Sequence, residues 1–326
     1  MLIRVPEYFT GFTCIADKCT DSCCVGWEID IDDDTSSKYR LLNAPIGAEI
    51  REKTSHGYFP LQKNGRCAFL DDVGLCRIIS SVGEEYLCDI CREHPRYYGV
   101  GAFGIEGGLG LGCEEAARII LGLRKKPRLI VIDRDVRYFD EDEFAEGSEY
   151  FRDRLTDLIF ETGITKLCGA YMNAARVAND DAYDILTHKI GRTHPDVAPR
   201  EADTEDLGRL LEASMRLLDE CEALNDDWHE IIDMASRVKL SYILSREDEL
   251  RALIYYFTHR YVREGIEDMS IGGRILFALI SALSIIAISA VPGCGGSDVK
   301  AAVMYSKNIE YSTDNVDYMV ENLDIL

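Results

Sequence analysis

The sequence is short of positive charge. Its 326 residues hold 36 Lys and Arg against 58 Asp and Glu, a formal charge of −22. No basic patch is segregated from the acidic background. Such a chain repels phosphate backbones, which argues against nucleic acid as a partner. Anionic membrane surfaces are disfavoured for the same reason, whereas basic ligands and lysine-bearing protein surfaces are compatible with it. Internal repeats and low-complexity tracts are missing too. The opening Met1-Leu2-Ile3-Arg4-Val5-Pro6 has no basic n-region and no long apolar h-region, so no secretory signal is expected. One apolar run invites a membrane test. Ile275 to Val291 is 17 residues without a charge, at the lower edge of a spanning length. It carries three serines and stops at Pro292-Gly293, and the expectation is a buried central helix with no stable membrane insertion.

Cysteine, by contrast, is plentiful. Nine of the twelve fall in the first 113 residues. In a reducing cytosol, the expected compartment, clustered thiols bind metal or do redox chemistry more often than they pair. The order is Cys14-x4-Cys19-x3-Cys23-Cys24, then Cys67-x8-Cys76-x11-Cys88-x2-Cys91-x21-Cys113. Only Cys88-x2-Cys91 has zinc-finger form, and no histidine repeats at ligand spacing. Structural zinc and an iron–sulfur cluster each take up to four thiolates, so spacing leaves both open. Adjacent cysteines in extended chain point to opposite sides, so Cys23 and Cys24 suit different sites. Cys168, Cys221 and Cys294 read as buried hydrophobes instead.

The chain divides by composition. Residues 1–123 are rich in cysteine, glycine and turn residues, with hairpins expected over 67–79 and 97–112 and a short helix after Cys113. Residues 124–147 form a charged connector with one strand-like run, Leu129 to Ile132, and the acidic stretch Asp140-Glu141-Asp142-Glu143. Residues 148–326 are patterned as helices over roughly 149–161, 165–190, 272–290 and 298–323. Leu207, Leu210, Leu211, Ser214, Leu218 and Cys221 share one face, as do Leu250, Leu253, Ile254, Phe257 and Tyr261. Asn225-Asp226-Asp227 offers a cap for a helix through Trp228 and Ala235. The expected fold is mainly α: a small cysteine-rich α+β module with short hairpins, then an α-helical domain, with a substrate cleft between them.

A glycine series adds a rival. Glu106-x-Gly108-x-Gly110-x-Gly112 has the form of a nucleotide-binding loop before a helix, and Asp133 ends a strand-like run about where a ribose-binding acid would stand. A doubly wound sheet needs more βα units than this chain offers. The other reading is a glycine-rich hairpin that lets backbone approach the cysteines.

Several motifs together resemble the flagellin lysine N-methylases of the FliB type. They are Val5-Pro6-Glu7-Tyr8-Phe9, Phe12-Thr13-Cys14, Cys19-Thr20-Asp21-Ser22-Cys23-Cys24 and Gly26-Trp27-Glu28-Ile29-Asp30-Ile31-Asp32. They continue with Cys67-Ala68-Phe69-Leu70, Gly74-Leu75-Cys76-Arg77-Ile78, Leu87-Cys88-Asp89-Ile90-Cys91, His94-Pro95-Arg96 and Cys113-Glu114-Glu115-Ala116-Ala117-Arg118. The tail Tyr305-Ser306-Lys307-Asn308-Ile309-Glu310 resembles that family's C-terminal signature. The family has proline where Ala68 stands, often serine where Cys88 stands, and often histidine where Tyr311 stands. The resemblance implies methyl transfer from S-adenosylmethionine to lysine ε-amines of flagellin, with a [4Fe–4S] cluster, in the cytoplasm. It gives as ligands Cys14, Cys19, Cys23, Cys24, Cys67, Cys76, Cys91 and Cys113, with Cys88 the least secure. They serve one cluster plus other roles, or two sites. Radical enzymes using that cofactor carry a CxxxCxxC motif, which is absent. Arg96, close to Cys91, is a candidate clamp for a cofactor carboxylate.

The chemistry sets its own requirements. An amine of reference pKa ~10.4 must be neutral to attack, so the site must desolvate it or supply a base. Tyrosine hydroxyls and carboxylates orient such amines. Tyr255, Tyr256, Tyr305 and Tyr311 are candidates, and Glu310 serves either substrate binding or packing. Two other classes stand beside the enzyme: a non-enzymatic zinc- or iron-binding module on a helical interaction domain, and a metal-independent Rossmann-type methyltransferase.

Overall fold

The computed structural model describes residues 1–101, 104–136, 148–180, 197–224, 227–262 and 270–323. The acidic stretch 140–143, the C-terminal part of the helix expected over 165–190, and Asn225 and Asp226 lie outside the described residues.

Helices dominate. At their centre is Ile271–Ser289, every residue of which is buried. It is long and apolar enough to cross a membrane by composition, yet it is wrapped by protein. Glu247–Tyr261, Ile164–Asp180, Asp298–Tyr305 and Thr313–Leu323 all pack on it. Small residues allow the closest approaches. A Cβ on Gly272 would meet the Ala175 carbonyl oxygen at 2.7 Å, and one on Gly273 the Val320 carbonyl oxygen at 2.4 Å. Aromatic edges fill the seam, with Phe277 5.9 Å from Phe257 and 5.1 Å from Tyr261. Two pairs of buried hydroxyls lie in this region: Tyr171 with Thr258 at 2.6 Å, and Tyr305 with Ser281 at 2.8 Å.

Among the described residues up to Asp133 there are six short strands: β1 Leu2–Pro6, β2 Ile29–Asp30, β3 Tyr58–Phe59, β4 Arg96–Gly101, β5 Gly104–Leu109 and β6 Leu129–Asp133. Four make one mixed sheet in the order β4-β5-β1-β6, and β2 pairs with β3. β4 and β5 are the antiparallel hairpin expected over 97–112. β5 runs parallel to β1, and β6 closes the other side antiparallel. Cys113 stands at the N-cap of helix Glu114–Leu121, as the sequence pattern required.

Some local expectations change. Residues 67–79 bend back only as far as a Leu70–Cys76 bridge. Cys76 then caps a helix, Arg77–Val82, so the second strand is missing. The tail is two helices, Asp298–Tyr305 and Thr313–Leu323, separated by a π-type turn over Ser306–Glu310. Asp227 stands at the N-cap of Trp228–Ala235 without a side-chain bond. The doubly wound alternative fails. The main sheet is mixed, and Glu106 and Gly108 lie within β5, not in a strand-to-helix loop. Asp133 is exposed beside the N-terminal amine of Met1, at 3.2 Å.

Apolar packing follows another line than composition. Ile3, Val5, Tyr98, Leu109, Cys113 and Ile120 share one core with the helices. Residues between Ile29 and Cys88 hold a second, smaller core around Tyr39, Ile50, Phe59 and Phe69.

A buried ion pair fastens sheet to helices. Glu106 on β5 receives Arg152 Nη1 at 2.7 Å from helix Ser148–Ile159, and Arg4 Nε at 2.8 Å from β1. Burial pushes the Glu106 carboxyl up, but Arg152, His259 and Arg4 outweigh it and hold it below the usual range. The pair's contribution is therefore fully present above the unfolded carboxylate value of about 4.3 and is lost as pH falls through the lower folded value. Glu106→Gln leaves Arg152 charged and buried, so it is expected to destabilise by about 3–5 kcal/mol at neutral pH. The gap from wild type should narrow in acid, as urea unfolding at pH 7 and pH 3 will show.

Candidate functional site

The glycine series after β4 is a floor for tyrosines. A Cβ on Gly108 would lie 2.3 Å from the Tyr97 hydroxyl oxygen, and one on Gly112 2.3 Å from the Tyr311 ring. Any larger residue displaces those rings. Beyond β5 the run turns at Leu111 and Gly112, with Gly110 N–H donating to the Pro95 carbonyl at 2.7 Å and Leu111 N–H to the Tyr256 hydroxyl at 3.3 Å.

Over this floor sits a buried carboxylate. The π-type turn widens the tail so that Tyr311 N–H reaches back to the Ser306 carbonyl at 3.2 Å. Asparagines hold the turn open. Asn308 Oδ1 accepts from Leu224 N–H at 2.9 Å, and Asn315 Nδ2 donates to the Asn308 carbonyl at 2.8 Å. Glu310, at the end of the turn, is thereby directed at helix Glu247–Tyr261. Its Oε1 accepts from Tyr256 at 2.6 Å, Tyr261 at 3.0 Å and Arg260 Nη1 at 3.2 Å. Arg260 also donates to the Tyr256 hydroxyl at 2.6 Å and lies 4.5 Å over the Tyr97 ring. The Glu310 side chain is 1% exposed, and Oε2 has no partner among the described residues. Burial pushes the Tyr256 hydroxyl far above its ordinary value, although Arg260 opposes it.

Tyr311 follows, its ring 4.8 Å from Trp27 and 6.4 Å from His94. Hemmed in this way it still keeps 46% of its surface accessible, so this side of the site opens to solvent. Burial, with Lys307 and Arg96 nearby, pushes the His94 imidazole down to about 4, which keeps it neutral at physiological pH. Its Nε2 is buried without a partner among the described residues. Lys307 Nζ donates to Asp21 Oδ1 at 2.5 Å and lies 5.0 Å over Trp27, which ties the tail to the first cysteine loop.

The thiols gather in two groups that meet at Cys23-Cys24. Cys14 and Cys113 are close enough to Cys19 and Cys23 to raise both, and Cys14 is close enough to raise Cys113. Burial pushes Cys19 up to about 12, with Cys113, Glu114 and Cys14 adding to it. Glu114 pins this loop by accepting from Thr20 N–H at 2.6 Å, Thr20 Oγ1 at 2.8 Å and Asp21 N–H at 3.3 Å. Cys24, Cys67, Cys76, Cys88 and Cys91 form the other group. Here Cys67 N–H donates to the Cys24 carbonyl at 2.8 Å, and Cys88 and Cys91 lie one helical turn apart. Burial pushes Cys67 up to about 11. The Cys23 and Cys24 sulfurs also interact, which raises Cys23 and lowers Cys24. Cys76, Cys88 and Cys113 each occupy the N-cap of a helix, where amides and the helix dipole favour a thiolate. All twelve cysteines are unpaired as disulfides. Among the described residues, no three His, Cys, Asp or Glu side chains converge as ligands around one ion.

Of the residues named from sequence, Tyr256, Tyr311 and Glu310 come together. Tyr305 is a core residue bonded to Ser281. Tyr255 stacks on His259 with centroids 5.9 Å apart, deep in the helical core. Arg96 is held 5.6 Å over Phe9 and 5.1 Å over Phe12, with Nε buried and unpartnered among the described residues. Cys168, Cys221 and Cys294 are buried as expected. Sequence reading passed over Arg260, Tyr261, Trp27, His94 and Lys307 as site residues. Four of these lay inside quoted motifs or an amphipathic face; Arg260 had no signal at all.

The Gly112 contact yields a test. The colliding atoms are the far end of a movable ring, so Gly112→Ala should cost less than about 1 kcal/mol yet swing Tyr311 off Trp27. Trp228 is 0% exposed, so acrylamide quenching reports Trp27, and quenching should rise in the variant.

Comparison with known proteins gives the family. The chain is 31% identical over 132 residues to the flagellar biosynthetic protein FliU of Salmonella muenchen, an alignment that covers 36% of this chain and 76% of that protein. It is 30% identical over 132 residues to the lysine-N-methylase of Salmonella typhimurium strain LT2, covering 36% of this chain and 32% of that protein. The lysine-N-methylase of Salmonella choleraesuis strain SC-B67 aligns with the same identity and coverage, so the shared part spans about a third of either methylase. No family model matches, and no solved structure matches. With three-quarters of FliU aligned at this identity, the chain belongs to the FliB-type flagellin lysine N-methylase family.

Proposed function

We propose that this protein transfers methyl groups from S-adenosylmethionine to lysine ε-amines of flagellin in the cytoplasm. The observation that carries the reading is the buried, tyrosine-held Glu310 carboxylate beside a group of thiols, in a chain of this family. The reaction forms an N–CH₃ bond as the sulfonium S–CH₃ bond breaks, and the amine loses one proton. In-line approach at ~3–3.5 Å is what the protein must arrange. Tyr256 and Tyr261 fix the carboxylate, and the neighbouring apolar walls exclude water from it. Arg96, with its buried Nε, is the guanidinium we assign to the methionine carboxylate of the donor. The net charge of −22 suits a lysine-bearing partner.

We further propose that the front of the chain holds iron and sulfide. The donor chemistry suits it: nine sulfurs lie in two neighbouring groups, and metal would have to draw them into convergence and displace their protons, since no three ligands converge among the described residues. Cys14, Cys19, Cys23 and Cys113 would hold one set of irons. Cys24, Cys67, Cys76 and Cys91 would hold the second, with Cys88 beside Cys91. A [4Fe–4S] cluster held there would tie the loops together, and where only three thiolates held it the remaining iron would supply a Lewis acid. Glu114 orders the first loop from outside the thiol set.

Oxygen-free purification followed by iron, zinc and acid-labile sulfide assays tests the cluster. Brown protein with iron and sulfide in equal amounts is expected, and Cys23→Ala should lose the share of both that belongs to the first set and keep that of the second. Incubation with S-adenosylmethionine and flagellin should add ~14 Da per methyl to flagellin lysines in wild type. Colourless zinc protein without transfer would establish the binding-module alternative instead.

A further inference from the structure

We infer that Glu310 Oε2 is the acceptor for a primary amine, either the substrate lysine or the α-amino group of the methyl donor. The inference rests on the methyltransferase reading for the choice between these two ligands, but not for the amine itself. Three donors converge on one oxygen of this carboxylate, and the other is left bare. Tyr256, Tyr261 and Arg260 all point at Oε1. Oε2 is sealed from water with no partner among the described residues. Buried acceptors are nearly always satisfied, and an orphan of this kind marks a place where a ligand supplies the donor.

The surroundings specify the donor. The residue after Glu310 is Tyr311, which faces Trp27 and His94 and remains partly open to solvent. Aromatic faces of this kind accept the methylene stem of an amine. Cys23 and Cys113 are near enough to act on the Tyr311 hydroxyl, so the amine position adjoins the first thiol group. Arg260 settles the protonation. A guanidinium 3.2 Å from Oε1 already balances the carboxylate, so a second full cation is disfavoured there, while a neutral amine donating one N–H is not. That is the form a methyl acceptor must take.

Binding titrations of the full chain test the assignment by ratio. One pair compares flagellin with lysine-acetylated flagellin. The other compares S-adenosylmethionine with its analogue lacking the α-amino group. Wild type should prefer the amine-bearing member of one pair by about tenfold or more, the size of a hydrogen bond to a charged group. The pair that shows this identifies the ligand. Glu310→Gln presents a donor where the acceptor stood, so the ratio should fall to about one. Glu310→Asp keeps the charge and withdraws the oxygen, and should give an intermediate ratio if Gln does not fold. A purely structural Glu310 would weaken both members of a pair alike and leave the ratio unchanged, which would overturn the inference. So would a wild type that binds neither pair or prefers neither member. Methyl transfer is measured in parallel by mass. If the preference holds and no methyl moves, the enzymatic reading falls and the amine site stands.

Discussion

Everything around the site is arranged by the need to bury one carboxylate. Taking the Glu310 charge out of water costs several kcal/mol, and only close, well-directed donors offset it. Helix Glu247–Tyr261 supplies three of them from one stretch: Tyr256, Arg260 and Tyr261. A helix repeat of 3.6 residues puts Tyr256 and Arg260 on the same face, four residues apart. The donors are themselves held, because Tyr256 also accepts from Leu111 N–H and Arg260 rests on Tyr97. Tail and helix Glu247–Tyr261 therefore meet at Glu310 Oε1, and the glycine run joins them through the Tyr256 hydroxyl. Loss of any of the three would leave a charge stranded in the interior.

The glycine strand is gripped at both ends by the same set of helices. At one end Glu106 is locked between Arg152 and Arg4. Beyond the strand's other end, Leu111 meets Tyr256 and Gly112 carries Tyr311. Cys113 then begins its helix, and Glu114 draws in the loop that bears Cys19 and Cys23. The thiols of the first group are placed by this chain of contacts, and Lys307 adds a second tie to the same loop through Asp21. The first thiol group and the buried carboxylate are thus positioned by one structure. Only Gly112 separates Leu111, whose N–H reaches Tyr256 of the Glu310 node, from Cys113.

Local order was legible in the sequence, and distant pairing was not. The hairpin over 97–112, the helix after Cys113 and the amphipathic faces of residues 207–218 and 250–261 follow from periodicity and capping, which neighbours in sequence decide. The split of the thiols into two groups at Cys23-Cys24 was hinted at by their adjacency alone. The break at Ser306–Glu310 had no local signature, since its opening depends on Asn308 and Asn315 bonding to a loop near Leu224. Arg260 was invisible for a related reason. Its role comes from Glu310, 50 residues away, and on its own helix it looks like a solvated charge next to a core stripe. Residues 77–82 misled because Cys76 caps a helix where a strand would have kept its apolar alternation.

The glycine series shows how one pattern carries opposite meanings. A nucleotide loop uses glycine so that phosphate can approach bare backbone at a helix N-terminus. Here the space above Gly108 and Gly112 is filled by Tyr97 and Tyr311, and the backbone amide of Leu111 is taken by a tyrosine oxygen. The strand therefore has no room for a methyl donor laid across it in the dinucleotide manner. Under the proposed function, recognition of the donor would fall to side chains with unspent hydrogen-bonding capacity. Near the thiols, three described residues have it: Glu310 at Oε2, His94 at Nε2 and Arg96 at Nε. An acceptor, a neutral imidazole and a guanidinium together match an amine, a polar edge and a carboxylate, which is the complement of an amino-acid end. The chemistry left open in the interior is thus of the kind a methionine-derived donor or a lysine acceptor presents, and it lies where the tail, the glycine strand and the first cysteine loop meet.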